Sequence, residues 1–187
     1  MSSEGKQANR GYVSGTPRAL RNPEPSSENA RNSMRANRRR NTGPERLLRL
    51  ALSEAAIRGY RLDLKPAPGR PDIAFTRYKL AVFVHGCFWH RCPHCQLKMP
   101  KTNRAFWKRK FELNAERDER KRRGLEALGW DVLEFWECEV ERDAAACAQR
   151  VRRSIRKITE HLEADEELAE MAEGERSRRG GRRHGRS

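Results

Sequence analysis

Three cysteines and three histidines crowd into Val84-His85-Gly86-Cys87-Phe88-Trp89-His90-Arg91-Cys92-Pro93-His94-Cys95, a density that packing alone rarely explains. Cys87, Cys92 and Cys95 are separated by four and two residues, and Cys138 arrives later, at the end of a strand-like segment. Four converging thiolates suit a closed tetrahedral zinc site, which would tie a loop to a strand end. His94 could replace one of the thiolates. Cys147, set among alanines, reads as a small buried residue. A second chemical candidate is Asp72, which a turn-rich stretch, Pro68-Gly69-Arg70-Pro71, delivers to the start of a strand. A carboxylate there could hold Mg²⁺ against a phosphate, since that hard ion takes one or two carboxylates and completes its shell with water. An Asp that only caps the turn is the plainer alternative.

The elements that must position these groups follow from periodicity and punctuation. Thr42-Gly43-Pro44-Glu45 is a helix start, with a capping hydroxyl, a proline in the first turn and an acid near the positive end of the dipole. The helix runs through Leu47, Leu48, Leu50, Ala51, Leu52, Ala55 and Ile57, read as its core face, and stops at Gly59. Strands are expected over 60–64 and 72–75, with 80–85 as the hairpin partner of the second; its solid apolar run is the pattern of a strand buried on both faces. A long charged helix over 104–128 carries Trp107, Phe111, Ala115, Leu125 and Leu128 at helical spacing. A strand over 130–137, closed by Cys138, and a last helix over 142–162 complete the order, which describes an α/β or α+β sandwich with a mixed sheet.

Composition sets the partners. The net charge of +15 favours a polyanion, nucleic acid before an anionic membrane surface. No apolar run approaches a membrane span, and polar residues stand where a signal peptide would carry its apolar region, so a cytoplasmic protein is expected. An odd count of five cysteines, three of them clustered, fits metal binding in a reducing compartment better than disulfides. Residues 1–32 lack an apolar period and read as a disordered basic arm; 33–162 is the folded domain and 163–187 a charged, mobile tail. The run Arg31–Arg40, which contains Met34 and Arg35, could lie along a phosphate backbone or simply be solvated. No apolar stripe is left unassigned, and a monomer is expected.

The run from Val84 to His90, with Pro68–Asp72 before it and Met99–Asn103, Phe106-Trp107, Asn114, Arg117-Asp118, Gly129-Trp130 and Trp136–Cys138 after it, resembles the very short patch repair endonucleases. The resemblance covers about residues 32–139. It implies a restriction-endonuclease-like α/β fold, a mixed sheet flanked by helices, around the structural zinc site read above from the spacing of Cys87, Cys92, Cys95 and Cys138. It further implies a bacterial, nucleoid-associated enzyme that nicks double-stranded DNA beside the thymine of a T·G mismatch left by 5-methylcytosine deamination, in functional partnership with a DNA cytosine methyltransferase. Asp72 would carry catalytic Mg²⁺ with the backbone carbonyl of Val84, and His90 would be the base for the attacking water. Glu45 would orient waters, while His85, paired with Asp118, would assist at the phosphate. Phe88, Trp89 and Trp107 would wedge into the base stack, and Met34 and Arg35 would belong to an arm clamping the duplex. The restriction-type Glu-x-Lys after Asp72 is absent, histidines standing in its place. A non-catalytic zinc-containing DNA-binding module is the alternative reading, although binding alone requires none of Asp72, Glu45 and His90. A nuclease cutting matched DNA is another, which the aromatic wedge disfavours.

Overall fold

The structure is a computed structural model that describes Glu24, Glu28, Arg31, Asn32 and residues 40–65, 67 and 69–180. Most of the arm assigned to residues 1–32, and Met34 and Arg35, lie outside these. Helix α1, Gly43–Glu54, is opened by Thr42, whose Oγ1 accepts from the Glu45 amide at 3.4 Å. Glu45 reciprocates by accepting from the Asn41 amide at 2.7 Å and the Thr42 hydroxyl at 2.9 Å, so the first turn is closed from both sides. Leu48, Ala51 and Leu52 are buried, whereas Leu47 is 37% and Leu50 56% exposed. The expected core face was therefore too wide: the apolar residues outnumber what one face of a helix can present to a sheet.

The sheet has four strands in the order β1-β2-β3-β4. These are β1 (Arg61–Leu62), β2 (Ile73–Phe75), β3 (Leu80–His85) and β4 (Asp131–Trp136). β1 with β2 and β2 with β3 are antiparallel, while β3 with β4 is parallel. A parallel pair needs a long crossover, and here it is the Cys/His loop followed by α2, Arg104–Glu126. β1 is shorter than the five residues expected, because Asp63 takes a positive φ of 50° and ends it. Beyond β4 the chain makes α3, Glu137–Arg142, and α4, Ala144–Gly180, in place of one helix over 142–162. Asp143 divides them, its Oδ1 accepting from the Ala146 amide at 2.8 Å as a helix cap does.

Side-chain alternation assigns the two faces. Ile73, Phe75, Leu80, Val82 and Phe135 pack with α1, α3 and α4 around Leu48, Leu52, Val140 and Val151. Ala81 and Phe83 face the other way, onto Leu125 of α2 with Val132 alongside. Cys147 is buried in the first of these layers, as expected, and burial pushes its thiol up to about 11. Ala115 and Leu128, placed on the apolar stripe of α2, are exposed, and the buried polar residue there is Asn114. The helix does not stop at Leu162, because the Ala/Glu/Leu-rich residues that follow are strong helix formers. Leu162, Leu168 and Met171 stand exposed on it as scattered apolar residues, because offsets of six and nine residues put the latter two on different sides of the helix from Leu162. Among the described residues no helix is long and apolar enough to cross a membrane.

Candidate active site

Register decides which groups meet. Ile73 pairs with Val82, so Asp72 stands opposite Phe83 on the α2 face of the sheet, with His85 two residues further along β3. In the parallel pairing Phe83 faces Glu134 and His85 faces Trp136, which puts Glu134 on that face too. α2 lies over it and lowers Asp118 and Lys121 towards the same place.

Asp72 Oδ2 accepts from the Val84 amide at 2.9 Å. Its other oxygen has no hydrogen-bond partner among the described residues. The N–H and C=O of one strand residue point to the same edge, so the Val84 carbonyl also faces Asp72, past the last pairing of β2. Burial drives the Asp72 carboxyl up to about 6; the Val84 amide opposes this, Glu45 adds to it, and His85 and Lys121 pull it back. A cation at Asp72 would relieve that strain, and one carboxylate, a backbone carbonyl and a nearby second acid form an all-oxygen donor set of the kind Mg²⁺ takes.

His90 Nδ1 hydrogen-bonds Asp118, and His85 Nε2 lies 3.1 Å from Glu134 Oε1. The pairing of His85 with Asp118 expected from the sequence is thus exchanged: Asp118 holds His90, and Glu134, which the sequence reading passed over, holds His85. The cause is topological. His85 is fixed in β3 beside β4, whereas His90 sits on the loop that rises under α2. The two imidazoles still meet, with ring centroids 4.6 Å apart, and His85, His90 and Asp118 form one group of potential ligand atoms. Burial alone would raise the Asp118 carboxyl, but the hydrogen bond and charge of His90, helped by His85 and Lys121, hold it below the usual carboxylate range.

The loop that carries His90 is braced at its root. Sγ atoms of Cys87, Cys92, Cys95 and Cys138 all lie within 4.8 Å of one another, and Cys92 and Cys138 are 3.7 Å apart. Zn–S bonds of ~2.3 Å in a tetrahedron require sulfurs about 3.8 Å apart, so the four thiols suit zinc, with Cys95 rather than His94 in the fourth place. Glu137 Oε2 accepts from the Cys87 amide at 2.9 Å and ties the loop to the end of β4. Asn114 Nδ2 donates to the Trp89 carbonyl at 2.8 Å, holding the loop from α2.

Phe88, Trp89, Trp107 and Phe111 form an aromatic cluster, with Phe88 at 5.1 Å from Trp89 and 5.3 Å from Trp107. Only Phe111 is buried; the other three are partly open. Phe88 and Trp89 also line a cleft of about 720 Å³ whose walls include Glu45, Asp72, Val84, His85 and His90. Arg40, Arg70, Lys110, Arg117 and Lys121 ring it with positive charge. Lys121 escaped the sequence reading, although it follows Asp118 by three residues, the spacing that puts two side chains on one helix face. Glu134 had a signal as well: it is an acid set between Leu133 and Phe135, inside the apolar run of its strand.

The profile of the family described as DNA mismatch endonuclease Vsr matches residues 26–97. Over 132 residues, 70% of this chain and 79% of the other, the chain is 39% identical to the DNA mismatch endonuclease Vsr of Escherichia coli K12. It is 41% identical to the type II nicking enzyme V.XorIIP of Xanthomonas oryzae pv. oryzae, covering 68% of this chain and 92% of that protein. With V.NaeI, a type II nicking enzyme of Lentzea aerocolonigenes, it shares 42% over 73% of this chain and 81% of the relative. A likeness of this extent shows that the chain is an endodeoxyribonuclease and belongs to the DNA mismatch endonuclease Vsr family.

Proposed function

We propose that the chain nicks one strand of double-stranded DNA beside a thymine mispaired with guanine, using Mg²⁺ at Asp72 and the Val84 carbonyl. The observation that carries this reading is convergence: a half-buried acid, a carboxylate-held imidazole and two partly exposed adjacent aromatics open on one basic cleft. Mg²⁺, when bound, supplies charge neutralisation at the phosphate. The chain's own groups do the rest. With Nδ1–H donated to Asp118, His90 keeps Nε2 free to take the proton of an attacking water. The water oxygen bonds to phosphorus, one backbone P–O bond breaks, and the strand is left with a hydroxyl and a phosphate end. His85, held by Glu134, faces the same phosphate, and Glu45 orients water beside Asp72. Phe88, Trp89 and Trp107 enter the stack where it is weakest, and a mispaired thymine is easier to unstack than a matched one.

The cysteine site is proposed as structural zinc, because its four thiols leave no open position for a reactant. The domain around it has the architecture of a restriction endonuclease. Deamination of 5-methylcytosine creates T·G pairs, which links the enzyme to a DNA cytosine methyltransferase and places it beside the nucleoid in the cytoplasm. One chain supplies every cleft residue named here, which is the ground for a monomeric enzyme. The test is a labelled duplex with one T·G pair and its matched twin, each incubated with Mg²⁺ and without divalent ions. A nick beside the thymine, on the mismatch alone and with Mg²⁺ alone, is expected. Equal cutting of both duplexes, or a shifted but uncut complex, would reject the reading.

A further inference from the structure

Among the basic groups around the cleft, Lys121 is distinct. Arg40 and Arg70 each give one N–H to Asp63, at 2.8 and 2.7 Å, and Arg117 donates to Asn114 at 3.1 Å. Lys110 stands eleven residues earlier on the same helix, about 16 Å back towards the aromatic cluster at 1.5 Å per residue. Arg117 reaches the acid end too, with Nε 3.8 Å from Asp118 Oδ1, but its side chain is half exposed, whereas that of Lys121 is largely covered. Among the described residues Lys121 Nζ makes one ion pair, with Asp118 Oδ1 at 3.6 Å, and no hydrogen bond.

The side chain is held by its stem. A Cβ at Gly69 would lie 2.5 Å from Lys121 Cγ and 2.6 Å from its Cβ, so the lysine methylenes run across the space that a side chain at 69 would fill. Nζ sits 5.6 Å above the Phe83 ring, which is the residue opposite Asp72 in the register. An ammonium whose chain is fixed between a glycine and a phenyl ring is aimed before any ligand arrives, which reduces the entropy lost on engaging one. Its charge reaches both Asp72 and Asp118. Three N–H donors with one ion pair leave the ammonium able to take a further anionic oxygen in the cleft.

Resting on the nuclease reading above, we infer that Lys121 contacts a non-bridging oxygen of the phosphate cleaved at Asp72, and shields that phosphate from the surrounding carboxylates. Lys121→Met tests it, because methionine keeps an unbranched stem over Gly69 and removes only the ammonium. On a T·G duplex with Mg²⁺, kcat falls about a hundredfold, the usual loss for one donor to a reacting centre, with the melting temperature within about 2 °C of the parent. Lys121→Arg restores about tenfold of that loss, since it keeps the charge on a similar stem. In Mg²⁺-free buffer, a neutral methylphosphonate at the cleaved position weakens binding by the parent about tenfold and weakens Lys121→Met no further.

A kcat for Lys121→Met within about threefold of the parent would overturn the inference. So would equal weakening of both proteins by the methylphosphonate, which would mean that the lysine acts only through Asp118. Asp72→Ala, assayed alongside, separates the two levels: if it nicks normally, the site reading falls, and if it is silent while Lys121→Met nicks normally, only the lysine assignment falls.

Discussion

Asp72→Asn is expected to stabilise the metal-free protein while silencing it. In the folded chain burial lifts the Asp72 carboxyl from 3.8 to about 6, with Glu45 adding to the rise. Each pH unit between those values is worth about 1.4 kcal/mol, so ionised Asp72 costs the fold about 3 kcal/mol once pH exceeds 6. The sign follows from proton release: between pH 4 and 6 the unfolded chain loses the proton first, and stability falls as pH rises through that window. Asparagine keeps an oxygen for the Val84 amide, bonded to Asp72 at 2.9 Å, and carries no charge to desolvate. Its advantage should be near zero at pH 4 and about 3 kcal/mol at pH 7, or roughly 6–12 °C in melting temperature for a chain of this size. Thermal melts of both proteins at several pH values, in Mg²⁺-free buffer that leaves zinc in place, measure this directly. Added Mg²⁺ should raise the melting point of the parent and leave the variant unmoved. An Asn variant less stable than the parent at pH 7, or a gap independent of pH, would show that Asp72 is not a strained ligand awaiting a cation.

Three further outcomes follow from the geometry. Cys138→Ser should lose bound zinc by elemental analysis and melt at least 10 °C lower, because a structural metal contributes many kcal/mol of folding energy. Asp118→Asn should lower kcat at least a hundredfold with duplex binding retained, since His90 loses the charge that fixes its tautomer and stabilises its protonated form; kinetics within tenfold of the parent would remove Asp118 from the proton path. Gly69→Ala, at φ +74° and against the Lys121 stem, should destabilise by about 1–3 kcal/mol in denaturant titration, and an unchanged midpoint would show that the helix can yield there.

Read alone, the chain already disclosed the chemistry in its knot. Cys87, Cys92 and Cys95 lie within nine residues, so their convergence is a local matter, and Thr42 with Glu45 closes a helix turn through neighbours in sequence. Buried runs and glycine or proline punctuation likewise fixed most elements, because a strand buried on two faces and a long amphipathic helix each carry their own period. What the linear order could not contain was partner choice. His85 and His90 are five residues apart, and which of them receives Asp118 depends on how α2 crosses the sheet. Glu134 and Lys121 enter the site only through the parallel register of β3 with β4 and the packing of α2 above it. Such contacts span tens of residues and are set by side-chain packing between elements, a property that no window of the sequence holds.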